Sequence, residues 1–341
     1  HAAVDGIAAM GAAIAEAGQQ LAQLDGQLIK PAAGGAAGQS LLTVVDATNK
    51  SLAGVRDALA RAQLAAATVT VGVLSAAQQA TFTKARDTID SALAGIDEFE
   101  RLVPVLTDVL GGNGPRTFLV EQVNPAELRS GGGFIGSYTL LRADHGAFSV
   151  VRSGDSYDLA NPRPLPWQKG FIPQPTPYRD VLNPNISFSF VDSNIYPDFP
   201  SNAKSALRFV EPRIGNIDAV ISIDFYTVAK MLELTGPMAV PGYGLAVDGS
   251  NFVAEIVKAD IGNTPSHKAI LAAMAGPLMS RVLGLTPDRW PTLLGALNTL
   301  ASQRHLQAYF KDATVEQELD RIGWSGSINP TNAPDFFMDV E

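Results

Sequence analysis

The stretch best suited to chemistry in this 341-residue chain runs from Asn124 to Tyr138, NPAELRSGGGFIGSY. Three consecutive glycines, Gly131, Gly132 and Gly133, cost chain entropy, so the backbone there is expected to need positive φ or a close approach. Amides freed by such a turn can cradle an anion beside Arg129. A bulge or a tight crossover at a sheet edge would use the same glycines. Downstream, Arg152, Asp155 and Asp158 end a β-branched run, and Asp192, Asn194 and Asp198 precede a helical pattern bearing Lys204 and Arg208. Arginine suits phosphate because its planar fork donates two hydrogen bonds at once. Carboxylates suit Mg²⁺, which takes one or two of them with phosphate oxygens and water. Arg and Asp side chains gathered from different strand ends are what a metal-assisted diphosphate site requires. Surface ion pairs leave the same trace in a sequence.

Other chemistries lack their residues. Gly131–Gly136 spells GxGxxG, but the run feeds a strand pattern at 137–142, whereas a dinucleotide fingerprint must open a helix. Gly111–Thr117 has no P-loop lysine, and no G-x-S-x-G elbow occurs. Zero cysteines exclude disulfides, thiol nucleophiles and thiolate metal sites. His1, His145, His267 and His305 are too scattered for an HExxH zinc motif. A net charge of −9 argues against a nucleic-acid partner. That charge is uneven: residues 1–110 carry 7 basic and 11 acidic side chains, 116–213 carry 10 and 9, and 214–341 carry 8 and 14. The middle third alone does not repel anions.

Two units are expected from the length, at about 100–200 residues per domain. Residues 1–110 read as an antiparallel helical bundle or stalk. Its first helix, 2–28, carries Ile7, Ile14, Leu21 and Leu28 at one heptad position and Val4, Gly11, Gly18 and Asp25 at another, so a neighbouring helix is expected to approach closely there. Pro31 and Gly34–Gly38 break it. Further stripes run through Val45, Thr48, Leu52, Val55 and Leu59, then through Phe82, Ile89, Leu93, Ile96, Phe99, Val103, Leu106 and Leu110. After Gly111–Pro115, strands are expected at 116–122, 137–142, 147–152 and 219–223, with a hairpin turn at Asp144–Gly146. Helices are expected at 201–211 (capped by Ser201), 225–235, 251–260, 266–283, 290–303 and 314–322. The fold class is an α/β (α+β) sandwich, a mixed sheet covered by helices, preceded by the bundle. Residues 161–184 hold seven prolines. They are expected to form a long loop anchored by Trp167, Phe171 and Tyr178, either covering a site or standing as a solvated insertion of no consequence. No signal peptide or membrane-spanning run is seen. A chain that enters a helix at once is expected to have had an anchor upstream.

The segment quoted above, with DSNIYPDFPSNAKSALRFVE and NIDAVISIDFYTVAKMLELTGPMAVPGYG, closely resembles the bacterial domain-of-unknown-function family 4012, over roughly residues 116–341. More distantly the layout is similar to the LytR-CpsA-Psr envelope transferases. The likeness implies a membrane-anchored, extracytoplasmic protein of cell-wall biogenesis that moves a glycopolymer from a polyprenyl-diphosphate carrier to a cell-wall acceptor. It implies Arg129 and Arg152 as the grip on diphosphate, Asp155 as the catalytic partner of Arg152, and Asp192 as an assisting residue; the residue pattern adds Gly132, Gly133, Asn194 and Arg208 as substrate-binding ones. Asp155 and Asp158 would hold Mg²⁺. The transferases' arginine-rich helix falls near Ser266-His267-Lys268-Ala269-Ile270, which holds no arginine. The family pattern continues with more strand, so this domain is expected to lack its last C-terminal element. The alternative function is a non-catalytic envelope module that binds a polyprenyl-linked glycan or, through the bundle, a protein partner. A glycan hydrolase would need two carboxylates at a set separation.

Overall fold

A computed structural model describes residues 2–28, 39–176, 178, 183–262, 267–286 and 289–328. The break at Pro31–Gly38, the side chains of Asp25 and Leu28, Ser266, and the chain past 328 lie outside the described residues. The chain divides into two compact units, His1–Gly114 and Pro115–Glu341. Among the described residues no helix is long and apolar enough to cross a membrane.

The first unit is α1 (Ala2–Leu28), α2 (Gln39–Ala67) and α3 (Ala76–Val109). A capping box starts α3: Ser75 Oγ accepts from the Gln78 amide and the Gln78 side chain accepts from the Ser75 amide. Neighbouring helices run antiparallel. Glu16 of α1 pairs with Arg61 of α2, and Gly6 lies against Thr68 and Val69 just past the end of α2. Arg56 of α2 pairs with Asp97 and Glu100 of α3, and Gln63 with Asp90. The core joins Met10, Ala13 and Ala17 to Val55, Ala58, Leu59, Ala62 and Ala66, then to Phe82, Ile89 and Ile96. This corrects the expected seam of α1. Its Ile7, Ile14 and Leu21 stay exposed, and α2 packs on the alanine face beside them. Alanine and Gly6 let two backbones come close, and close approach multiplies dispersion contacts. A Cβ on Gly6 would sit 2.7 Å from Thr68 Oγ1.

Among its described residues the second unit holds seven strands: β1 (Arg116–Asn124), β2 (Phe134–Asp144), β3 (Ala147–Asp155), β4 (Ala219–Asp224), β5 (Met238–Val240), β6 (Leu245–Val247) and β7 (Leu306–Phe310). Five form one sheet in the order β3-β2-β1-β4-β7, while β5 and β6 pair separately. In the large sheet β1 and β4 run parallel and every other neighbouring pair is antiparallel. His145 and Gly146, both at positive φ, turn β2 into β3. Two residues are inserted out of register, Gly136 of β2 and Val151 of β3.

The helices are the short α4 (Tyr157–Ala160), then α5 (Phe199–Ile214), α6 (Phe225–Thr235), α7 (Phe252–Gly262), α8 (His267–Leu283), α9 (Trp290–Ser302) and α10 (Ala313–Arg321). On one sheet face, α5 buries Ala203, Ala206, Leu207 and Val210 against Leu119, Val123, Ile135, Tyr138 and Val220. Helices α6, α7 and α8 share a second core around Phe225, Leu232, Phe252, Ile256 and Met274, and α8 lies along β2 and β3. The cap of α5 is Asp198, whose carboxylate accepts from the Ser201 amide at 2.9 Å. Ser201, the expected cap, is instead the third helical residue, because Pro200 occupies the first turn, where a missing N–H costs nothing.

Candidate functional site

Carboxyl ends of parallel strands are where open sheets place their ligands. Here that end joins Asn124 of β1, Phe134 of β2 and Asp155 of β3. Along β3 the side chains alternate between faces. Asp155 stands opposite Ser137, on the face where Ser137 Oγ donates to Gln122 (2.6 Å), Gln122 donates to Thr139 (2.9 Å), and Thr139 meets Ser153 (2.9 Å). Asp155 Oδ1 accepts from the Tyr157 amide (2.9 Å) and from Lys268 Nζ of α8 (3.1 Å). Both bonds land on one carboxylate oxygen.

Lys268 Nζ lies 4.8 Å from the Tyr157 ring centroid and 5.8 Å from that of Phe134. The Arg129 guanidinium lies 5.3 Å from the same Phe134 ring, and its buried Nε has no hydrogen-bond partner among the described residues. Two cations from distant parts of the chain thus share one aromatic ring beside a carboxylate. Lys268 is the residue the sequence reading passed over: it stands in the segment where an arginine was sought. The Pro-rich loop reaches this place through Tyr178, whose hydroxyl is 3.4 Å from Ser130 Oγ and whose ring meets Tyr196. Trp167, an expected anchor of that loop, is 77% exposed. Arg163 also anchors the loop, donating twice to the Ser187 carbonyl and pairing with Asp192, and Gln174 donates to the Ile186 carbonyl.

The other expected site residues fall elsewhere or are already engaged. Arg152 is exposed and lies 5.7 Å from the Tyr138 ring, on the sheet face opposite Asp155. Asp158 is on that far face too, since a Cβ on Gly154 would sit 2.7 Å from its carboxylate. Asp155 and Asp158 therefore stand on opposite faces of the sheet. Among the described residues no group of three or more His, Asp or Glu side chains is placed to hold a metal ion. Asp192 is buried with Arg163, and burial holds its pKa above the usual carboxylate range despite Arg163 and Arg129. Arg208 is exposed on α5 against Phe209. Beneath the Pro-rich loop, a separate cavity of about 190 Å³ is lined by Leu159, Arg163, Ile172, Phe188, Phe209 and Arg213.

Two of the three amides of the glycine run are engaged. The Gly131 amide donates to the Asn194 carbonyl (3.1 Å) and the Gly132 amide to the Arg129 carbonyl (3.0 Å). Asn194 Nδ2 donates to the Gly133 carbonyl. Gly133 has φ +136°, and a Cβ there would collide with the Asn124 carbonyl. Gly133→Ala is accordingly expected to cost about 2–3 kcal/mol. Gly132→Ala (φ +94°, open space) should cost nearer 1 kcal/mol. Urea unfolding of both variants checks this ranking, and equal losses would contradict it.

At the same end of the sheet, Asp224 caps α6 through the Thr227 amide (3.0 Å) and holds His305 Nδ1 at 2.6 Å. Its carboxyl pKa is raised by burial. The pair ties α6 to the start of β7.

Residues 113–259 match the model of a family described as "Protein of unknown function (DUF4012)". No curated protein matches the chain. Among solved structures, the crystal structure of the transcriptional regulator yvhJ from Bacillus subtilis is similar, at 12% identity over 61% of this chain and 76% of that one, with a TM-score of 0.29.

Proposed function

We propose, from the match of residues 113–259 to the DUF4012 family model and the site beside Asp155, an extracytoplasmic cell-envelope transferase. It takes a glycopolymer from a polyprenyl-diphosphate carrier to a cell-wall acceptor. The observation that carries this reading is the convergence of Arg129 and Lys268 on Phe134 beside Asp155. Lys268 is paired with Asp155 and Arg129 acts on Asp192; a diphosphate entering between the two cations would add a second, stronger anionic partner for both. Arg129, with its unpartnered Nε, and Lys268 grip the phosphates. The acceptor hydroxyl attacks the phosphorus next to the glycan, the bond to the polyprenyl phosphate breaks, and the hydroxyl proton passes to the Asp155 carboxylate. Arg152 takes no part.

A binding module without turnover is the second reading, favoured by the engagement of Asp155 with Lys268 and by the absence of Arg152 from this face. Titration with farnesyl diphosphate tests the site. Arg129→Ala and Lys268→Ala should each weaken binding about 10- to 100-fold, the worth of a charge-assisted hydrogen bond, with Arg152→Ala unchanged. Unaltered affinity in both variants would remove the proposal. Asp155→Asn separates the readings, since lost transfer at retained affinity assigns it the proton.

A further inference from the structure

Helix α1 leaves one face without a partner. Val4, Ile7, Ile14 and Leu21 are 69%, 37%, 36% and 46% exposed. Gly11 and Gly18 lie between them, each with open space where a Cβ would stand. The alanines beside the stripe, Ala8, Ala15 and Ala22, are exposed as well. Between residues 3 and 22 the only charges are Asp5 and Glu16, neither of them on this stripe, and Glu16 pairs with Arg61 of α2. The face is uncharged for five turns and bears its large side chains at seven-residue spacing. Exposed apolar strips of this kind mark interaction surfaces.

Order within the stripe identifies the occupant. Reflection about the midpoint between Ala12 and Ala13 exchanges Ile7 with Gly18, Ile14 with Gly11, and Leu21 with Val4. We propose that two copies of this chain pair antiparallel through this face of α1, each isoleucine seated over a glycine of the other copy. Glycine at the facing position lets the axes come nearer than the usual 8–10 Å or so. The same reflection sets Asp5 against Gln20 and Glu16 against Ala9, so no like charges meet. A parallel pair would instead stack Ile7 on Ile7 and Gly11 on Gly11, leaving voids at the glycine layers. A lipid surface calls for basic residues flanking the apolar face, and residues 3–22 contain none.

The 341-residue chain itself provides the test. Light scattering at tens of micromolar should give twice its 35.9 kDa. Ile14→Glu should return the mass to that of one chain with an unchanged melting temperature, because the side chain is exposed. The chain has no cysteine, so introduced ones report the register: Ile7→Cys mixed with Gly18→Cys should form a disulfide-linked pair, and neither alone should. A single-chain mass for the unaltered protein, a dimer that survives Ile14→Glu, or a disulfide between two Ile7→Cys chains would each overturn the proposal.

Discussion

Glu121→Gln should stabilise the protein by about 3 kcal/mol at pH 7 and by almost nothing at pH 4. Glu121 stands in the middle of β1, between Tyr138 of β2 and Ser222 of β4, on the face covered by α5. It is 1% exposed, and neither carboxyl oxygen has a hydrogen-bond partner among the described residues. Desolvation raises its pKa from 4.5 to about 8, so the folded protein holds a proton at neutral pH that the unfolded chain releases. The folded pKa is the higher one. Its contribution is therefore intact below about pH 4.5 and lost as pH rises towards 8, at about 1.4 kcal/mol per unit. Glutamine has the same shape and cannot ionise, which makes the variant's advantage depend on pH. Urea unfolding of both proteins at pH 4 and pH 7 measures this. An equal gain at both values would show that ionisation is not the cause.

Arg163→Ala should be the most damaging single truncation outside the hydrophobic cores, at about 3–5 kcal/mol. Arg163 and Asp192 are only 15% and 10% exposed in their side chains. Removing the guanidinium strands the carboxylate and releases the Ser187 carbonyl. Burial already pushes the Asp192 pKa up, and loss of Arg163 pushes it further. The deficit should shrink as pH falls and Asp192 takes a proton. The combined Arg163→Met and Asp192→Asn variant should recover much of the loss, since no unpaired charge remains. A loss below 1 kcal/mol for Arg163→Ala would mean that the loop is held by other contacts.

The strands that the sequence disclosed are those written in β-branched and aromatic residues, β1 to β4. Strand β7, Leu-Gln-Ala-Tyr-Phe, carries no β-branched residue and was invisible. It is a strand because β4 offers it an edge, a tertiary cause that propensity does not record. In the site, Arg152 and Asp155 were grouped for their nearness in sequence. Three residues apart on a strand is an odd separation, which sends side chains to opposite faces, so this placement is legible in the sequence. Lys268 is not. It lies 113 residues from Asp155 and meets it only because α8 lies along β2 and β3. In α1 the heptad revealed an apolar stripe without revealing which face α2 would take. The alanine face won because it admits a closer backbone.

The two outer strands of the sheet bear on how copies of the chain can join. Strand β3 interrupts its own ladder at Val151, and its exposed side includes Arg152. Strand β7 has the Ala308 amide on the Trp324 carbonyl (3.0 Å) and the Phe310 amide on Glu316 (2.8 Å). A passing chain seeking a row of open amides and carbonyls finds one border kinked and cationic, the other already engaged. Fibrillar stacking through this sheet is thereby discouraged, and association is left to helices.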